Sequence, residues 1–132
     1  MEYENKQNIL VVDDEPHIVN LVKLSLTDDR FHVEGAYSAR EALIKLGKFT
    51  PDLIILDIMM PGTNGYDLCR ELKERDDTKE IPVVILSARN QINDKIQAVE
   101  VGADDYITKP FDPSELKRRV ELNAFVKIKG GV

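Results

Sequence analysis

The sequence predicts a doubly wound α/β fold, in which a five-stranded parallel sheet lies between two layers of helices. Short, nearly unbroken apolar runs alternate with amphipathic segments along the chain. Unbroken apolar strands indicate burial on both faces, as in a parallel sheet covered by helices. With 132 residues, of which 42% are hydrophobic, the chain is long enough to form one such core without disulfides.

Five segments are predicted to be strands. Four are apolar runs, at residues 9–12, 53–56, 83–86 and, more weakly, 106–107, and the other lies around Phe31, Val33 and Ala36. A helical pattern follows each of them. This strand–helix alternation predicts parallel pairing with right-handed crossovers.

The first two helices have recognisable starts. Apolar residues recur at helical spacing over residues 18–26, and Pro16 precedes them near the first turn, where proline is tolerated. Ser38 and Glu41 form a capping-box pattern that opens the second helix.

The remaining three helices are bounded by glycine, proline and acidic residues. The third is predicted over residues 66–72 and the fourth over residues 92–101, where Gly102 ends it. Asp112 and Pro113 provide a cap and a first-turn proline for the fifth.

These elements predict one domain, a flavodoxin-like (βα)5 three-layer sandwich with the strand order 2-1-3-4-5. We expect the domain to span residues 8–126. Residues 1–7 are expected to form a solvated tail, and residues 127–132 a frayed helix end or a truncated linker. This ending favours a fragment of a longer protein.

Composition excludes several classes of function. The net charge of -6 argues against direct nucleic-acid binding, which needs a basic face. Cys69 is the only cysteine and has no zinc-ligand spacing with His17 or His32. No signal peptide and no apolar run of about 20 residues is present, so we expect a cytoplasmic domain without a membrane span.

Polar residues follow four of the predicted strands. They are Asp13, Asp14 and Glu15 after the first strand, Asp57 after the third, Ser87 and Ala88 after the fourth, and Lys109 with Pro110 after the fifth. Because ligands bind beyond the carboxyl ends of parallel strands, where the strand order reverses, these residues are expected to converge.

The expected cluster has a chemical logic. Carboxylates held close together must either take up a proton or bind a cation, and Mg²⁺ prefers such oxygen ligands. Lys109 and Ser87 could contact phosphoryl oxygens, and Asp57 could accept the group. Taken singly, the aspartates could be helix caps, and Lys109 and Ser87 could be ordinary surface residues. Their convergence at four strand ends favours the functional interpretation.

Four segments resemble those of response regulator receiver domains, and the resemblance covers about residues 7–126. They are residues 9–16 (ILVVDDEP), 57–62 (DIMMPG), 86–88 (LSA) and 102–111 (GADDYITKPF). The resemblance implies a switch of a two-component system that receives a phosphoryl group from a histidine kinase or a phosphotransfer protein. It also implies that the chain is not an enzyme beyond its own phosphotransfer and autodephosphorylation.

Site roles follow from the same resemblance. Asp57 would be the phosphoacceptor, and Lys109 would contact the phosphoryl group. The peptide bond between Lys109 and Pro110 is expected to be cis. Mg²⁺ would be held by Asp14, Asp57 and the backbone carbonyl of Met59, with Asp13 acting through water. Backbone N–H groups near Met59 and Ala88 would complete the phosphate cradle, and Met59 and Arg89 occupy positions that tune the lifetime of the phosphoryl group.

The resemblance also implies a conformational switch. Ser87 would move toward the phosphoryl group, and Tyr106, outward in the unphosphorylated form, would rotate inward. The alternative for Tyr106 is a half-buried strand aromatic with a solvated hydroxyl. The fourth helix, fifth strand and fifth helix would then change and control an output domain, a partner or a homodimer.

Charges on that face could pair across a symmetric dimer. They are Lys95, Glu100, Asp104, Asp105 and Arg119. The competing interpretation is a set of solvated charges that contribute little individually. Val126 departs from the pattern, because related dimers often have a basic residue there.

Three other functions compete. The first is an aspartyl phosphatase, which would have a second acid where Met59 stands. The second is a flavodoxin-like electron carrier, which is disfavoured because the acidic first loop would repel the phosphate of its flavin cofactor. A phosphate-independent interaction module is disfavoured by intact Asp57, Asp14 and Lys109.

Overall fold

In the computed structural model, residues 6–130 are described, with their side chains as far as residue 124. The five sheet strands are β1 (Gln7–Val12), β2 (Phe31–Ala36), β3 (Leu53–Leu56), β4 (Val83–Ser87) and β5 (Asp105–Thr108). The helices are α1 (Pro16–Ser25), α2 (Ala39–Leu46), α3 (Gly65–Glu74), α4 (Ile92–Glu100) and α5 (Pro113–Gly130). None of the helices within residues 6–130 is long and apolar enough to cross a membrane.

The five strands form one parallel sheet in the order β2-β1-β3-β4-β5, as predicted. The chain moves outward in one direction from β1 to β2 and in the other direction from β3 to β5. The order therefore reverses between β1 and β3, where Val12 pairs with Leu56. A ligand site is expected beyond the carboxyl ends of these two strands.

Two apolar clusters, one on each face of the sheet, make up the core. One is closed by α2, α3 and α4, which contribute Ala42, Leu68, Leu72 and Ala98. The other is closed by α1 and α5, which contribute Val19, Val22, Leu116 and Val120. Strand residues alternate between the two clusters, which explains why the strand sequences are apolar throughout.

The predicted helix boundaries are largely those of the structure. The Ser38 hydroxyl accepts a hydrogen bond from the Glu41 N–H at 3.0 Å, which caps α2. Gly102 follows α4 with a φ of 90°, a conformation that favours glycine. The Asp112 carboxylate accepts the Ser114 N–H at 3.0 Å and so caps α5.

Three features differ from the sequence prediction. Gln7, assigned to the tail, is the first residue of β1 and pairs with Phe31, because its N–H reaches the Arg30 carbonyl at 2.7 Å. The backbone of α5 continues past the predicted domain boundary at residue 126 to Gly130, in line with the helix-end alternative for this segment. A two-residue antiparallel ladder, Met59–Met60 with Thr63–Asn64, was not predicted. The rest of the two predicted tails, residues 1–5 and 131–132, lies outside the described residues.

Candidate functional site

Sheet pairing brings the predicted acidic residues together. Asp13 and Asp14 directly follow β1, and Asp57 directly follows β3. The Asp57 N–H donates to the carbonyl of Val12 at 2.9 Å, so the β1–β3 pairing continues into the site. The two acidic loops therefore start side by side at the carboxyl edge of the sheet.

Four carboxylates form one compact group at this edge. Oxygen atoms of Asp13, Asp14, Glu15 and Asp57 all lie within 4.8 Å of one another. Asp13 is 1% exposed and Asp57 is 3% exposed. Two of the four acids are therefore nearly removed from water, where like charges repel most strongly.

Lys109 is the cation that contacts this group. Its ammonium nitrogen lies 2.8 Å from Asp13 Oδ2, 3.5 Å from Asp57 Oδ2 and 3.8 Å from Glu15 Oε1. The Lys109 side chain is only 13% exposed. It is positioned by its own backbone, because the Lys109 N–H donates to the carbonyl of Ser87 at 2.8 Å.

The surroundings shift the pKa values of the central pair. Burial raises the pKa of the Asp57 carboxyl above its usual value, and the charges of Asp13 and Asp14 act in the same direction. The Met59 N–H and Lys109 oppose that rise without cancelling it. Burial disfavours the charged form of Lys109, but the neighbouring carboxylates outweigh burial and raise its pKa.

Backbone hydrogen bonds orient two of the carboxylates. The Met59 N–H donates to Asp57 Oδ1 at 3.0 Å, and the Glu15 N–H donates to Asp13 Oδ1 at 3.0 Å. Each acid thus has one oxygen bound to the loop that follows it.

Four converging carboxylates with one lysine leave an excess of negative charge, and this all-oxygen donor set fits a hard divalent cation such as Mg²⁺.

Ser87 ends β4 and is fully buried. Its hydroxyl oxygen accepts the Arg89 N–H at 3.1 Å, and its carbonyl binds the backbone of Lys109. The peptide bond between Lys109 and Pro110 is cis, as the resemblance implied. The approach of Ser87 to a phosphoryl group remains a prediction.

Tyr106, the aromatic residue of the predicted switch, contacts both the core and the loop that follows β4. Its half-buried ring packs against the core cluster formed with α2, α3 and α4. Its hydroxyl donates to the carbonyl of Arg89 at 2.6 Å. The ring is therefore partly buried and the hydroxyl has a protein acceptor, and the rotation of Tyr106 on phosphorylation stays a prediction.

The predicted dimer charges are partly engaged within the chain. Asp104 accepts from the Lys73 ammonium and from the Val83 N–H, both at 2.8 Å. Asp105 pairs with Arg119 at 2.5 Å and also accepts from the Asn123 amide at 3.0 Å.

These contacts give three of the five charges an intrachain role that the sequence did not reveal. The other two, Lys95 and Glu100, lie on α4, where Lys95 lines a cleft with Tyr106. The side chain of Val126 lies outside the described residues. The carbonyl ligand role of Met59 and the cradle role of the Ala88 N–H stay predictions.

Glu15 joins the acidic group, as expected of a residue that follows the first strand, although no ligand role was predicted for it. It follows Asp14 directly, and its position after β1 was the signal that placed it in the expected cluster. Its carboxylate is half-exposed, and its backbone N–H orients Asp13.

Comparison with known proteins places this geometry in a family. The sequence profile of the response regulator receiver domain matches residues 9–121. Over 124 residues the chain is 44% identical to the regulatory protein VanR of Enterococcus faecium, an alignment that spans 92% of this chain and 52% of VanR. It is 40% identical over 121 residues to the transcriptional regulatory protein ResD of Bacillus subtilis (strain 168), with 92% and 49% covered. The chain thus spans about half the length of these relatives.

A solved structure has the same fold. The CheY-like response regulator receiver domain protein from Methanospirillum hungatei JF-1 superposes with a TM-score of 0.86 at 25% sequence identity. The superposition covers 95% of this chain and 98% of that one.

Proposed function

This chain belongs to the response regulator receiver domain family, and from that premise we propose that it is a phosphorylation-dependent switch with Asp57 as the phosphoacceptor. The observation that supports this most directly is the placement of Asp57. Its carboxylate is 3% exposed, lies within an acidic group at the carboxyl edge of the sheet and is 3.5 Å from Lys109 Nζ.

The proposed reaction is transfer of a phosphoryl group from a phosphohistidine to Asp57. An oxygen of Asp57 forms a bond to phosphorus while the phosphorus–nitrogen bond of the donor breaks, and the electron pair of that bond stays on the histidine. Lys109 is close enough to Asp57 to neutralise part of the charge of the new acyl phosphate. Ser87 would supply a hydroxyl to another phosphoryl oxygen.

Mg²⁺ is the cofactor we propose for the acidic group. Asp14 and Asp57 would hold the ion with the carbonyl of Met59, and Asp13 would contribute through water. When bound, the ion offsets the negative charge of the carboxylates and of the phosphoryl oxygens. The chain itself keeps Asp57 buried and holds one of its oxygens with the Met59 N–H, which limits its orientations.

Phosphorylation would act by shifting a population of conformations. A phosphoryl group can favour one form only to the extent that it binds that form more tightly. We propose that movement of Ser87 and Tyr106 changes the surface of α4, β5 and α5. That surface would then contact an output domain, an effector protein or a second copy of the chain.

The proposed partners follow from the relatives. A sensor histidine kinase or a phosphotransfer protein would supply the phosphoryl group in the cytoplasm. We propose no catalytic activity beyond the domain's own phosphotransfer and autodephosphorylation, and no direct nucleic-acid binding by this domain. VanR is a regulatory protein and ResD is a transcriptional regulatory protein, so a transcriptional output is the output we favour.

Intact-mass measurement tests the proposal. The protein is incubated with acetyl phosphate and Mg²⁺, beside samples without Mg²⁺ and the variant Asp57→Ala. We expect a single phosphoryl adduct in the parent protein that is absent from both controls. An unmodified parent under these conditions would leave a receiver-shaped domain that acts independently of phosphate.

A further inference from the structure

Two tyrosine hydroxyls hold the connection between β4 and α4. The Tyr106 hydroxyl donates to the carbonyl of Arg89 at 2.6 Å, and the Tyr66 hydroxyl donates to the carbonyl of Asp94 at 3.0 Å. These acceptors lie at either end of the stretch that runs from Ser87 into the first turn of α4. Tyr106 comes from β5, but Tyr66 comes from α3 and has no role in the function proposed above.

The start of α3, which carries Tyr66, is tied to the strand end that carries Asp57. The Gly65 N–H donates to the carbonyl of Ile58 at 3.1 Å, and the Tyr66 N–H donates to Asn64 Oδ1 at 2.9 Å. A Cβ atom at Gly65 would lie 2.3 Å from the Cα of Ile58 and 2.8 Å from the carbonyl oxygen of Asp57. The backbone at Tyr66 therefore follows the position of the Asp57 backbone closely.

The first turn of α4 is the other end of this link. The Asp94 carboxylate accepts the Gln91 N–H at 3.1 Å and lies 3.4 Å from Arg89 Nε. Asp94 thus binds the connecting loop through its side chain and Tyr66 through its backbone. A displacement of the loop changes the geometry of both contacts.

Tyr66 is buried in the core cluster against which Tyr106 packs, so the two phenol rings share one apolar environment. Tyr66 is 3% exposed, and burial raises the pKa of its hydroxyl to about 12, with Tyr106 and Asp94 adding to the rise. Burial also raises the pKa of Tyr106, whereas contacts with Ser87 and Tyr66 act to lower it. Tyr66 therefore lies in the same cluster as Tyr106, a residue expected to move on phosphorylation.

We propose that Tyr66 is a positioning residue of the switch, whose hydroxyl couples the Asp57 loop to the first turn of α4 and to Tyr106. This inference rests on the proposed function and adds a second route to it. One route runs from Asp57 through Ser87 to Tyr106, and the other runs from Asp57 through Gly65 and Tyr66 to Asp94. The second route depends on the Tyr66 hydroxyl group. Tyr66→Phe removes this hydroxyl and therefore interrupts the route, while the buried ring stays in place.

Hydrogen exchange without phosphodonor tests the hydrogen bond from the Tyr66 hydroxyl to the Asp94 carbonyl. We expect Tyr66→Phe to increase amide exchange over residues 88–95 roughly two- to tenfold, the effect of losing one hydrogen bond. Tyr37→Phe, which alters a 40% exposed tyrosine on the same chain, is the matched control and should leave that exchange unchanged. In a double-mutant cycle, Tyr66→Phe and Tyr106→Phe should be non-additive. Wild-type exchange in Tyr66→Phe, or strict additivity, would overturn the inference.

A second experiment separates this inference from the proposed function. Acetyl phosphate and Mg²⁺ are added to the wild type, Tyr66→Phe and Tyr37→Phe, and both adduct yield and exchange over residues 88–100 are measured. We expect all three to form the adduct, with the phosphorylation-dependent change in exchange several-fold smaller in Tyr66→Phe alone. If Tyr66 had only a structural role, the phosphorylation-dependent change in exchange would be the same in Tyr66→Phe as in the wild type. That result would overturn the inference. An absent adduct in the wild type would overturn the proposed function as well as the coupling that rests on it.

Discussion

Asp57 is a buried carboxylate surrounded by like charges, and this has a cost for the folded state. Its pKa is raised in the folded protein, first by burial and then by Asp13 and Asp14. A raised carboxyl pKa means that stability is present at low pH and is lost as the pH rises through the folded-state value. At neutral pH, in the absence of a divalent cation, Asp57 is therefore expected to destabilise the fold.

Asp57→Asn should relieve this cost. We expect the free energy of unfolding at pH 7, measured by urea denaturation with a chelator present, to rise, because the uncharged amide is not penalised by burial beside Asp13 and Asp14. The gain should vanish near pH 3, where the carboxyl group of the parent is protonated. A variant that is less stable than the parent at pH 7 would contradict the electrostatic interpretation.

Lys109 has the opposite effect, because it is the cation that pairs with these acids. Lys109→Ala should lower the free energy of unfolding by about 3 kcal/mol, the cost of breaking a buried ion pair, and should also reduce adduct formation with acetyl phosphate. Lys79→Ala is the matched control: its surface pair with Asp76, 3.2 Å apart, should contribute less than about 1 kcal/mol. Equal losses in the two variants would argue against a special role for Lys109.

At the scale of elements, the contact between α3 and the loop after β3 depends on a missing side chain. Gly65→Ala would place Cβ 2.3 Å from a backbone atom of Ile58, so α3 or the Asp57 loop must shift. We expect a loss of about 1–3 kcal/mol in unfolding free energy, as for overpacked cores, together with a slower gain of the phosphoryl adduct.

Gly62→Ala provides a control within the same loop. Its φ of +70° is strained for alanine, but no atom lies within 4 Å of the added Cβ. It should cost about 1–2 kcal/mol from backbone strain and leave the rate of adduct formation near that of the parent. A Gly65→Ala variant that reacts at the parent rate would show that the contact does not position Asp57.

Elements whose signals are local in sequence could be predicted. The strands were recognisable because their apolar runs have no polar alternation, and α2 and α5 because Ser38 and Asp112 are local caps. The convergence of Asp13, Asp57 and Lys109 followed once a parallel sheet was predicted, because strand ends share one edge.

Features that depend on distant contacts could not be predicted. The bond from Tyr66 to Asp94 joins residues 28 positions apart, and a buried helix tyrosine gives no sign of its hydroxyl acceptor. Asp104 looked like a surface charge, but folding brings Lys73 and the Val83 N–H to it. The bond from the Tyr106 hydroxyl to the Arg89 carbonyl likewise joins two residues that only the tertiary structure brings together.

At the scale of the whole molecule, the acidic site lies at the carboxyl edge of the sheet, and the surface of α4, β5 and α5 includes the edge strand of the same sheet. That surface exposes apolar residues on α4, where Ile92 is 76% and Val99 is 74% exposed. Apolar groups beside the charges of Lys95 and Glu100 are compatible with a contact that forms in only one state of the switch.

We expect phosphorylation to favour a dimer through this surface. Sedimentation velocity with Mg²⁺ and acetyl phosphate should show a dimer that is absent without phosphodonor. Lys95→Glu should suppress it without changing the adduct yield, whereas Lys48→Glu, on an exposed site after α2, should not. A fully phosphorylated protein that stays monomeric would instead favour an output domain or another protein as the partner.

The central claim is that Asp57 itself receives the phosphoryl group, and chemical trapping tests it most directly. Borohydride reduces an aspartyl phosphate to homoserine, so the protein is treated with acetyl phosphate and Mg²⁺, reduced, digested and mapped by peptide mass spectrometry. We predict homoserine at position 57 and unmodified aspartate at positions 13 and 14. Homoserine at position 13 or 14, or at none of the three, would contradict the claim.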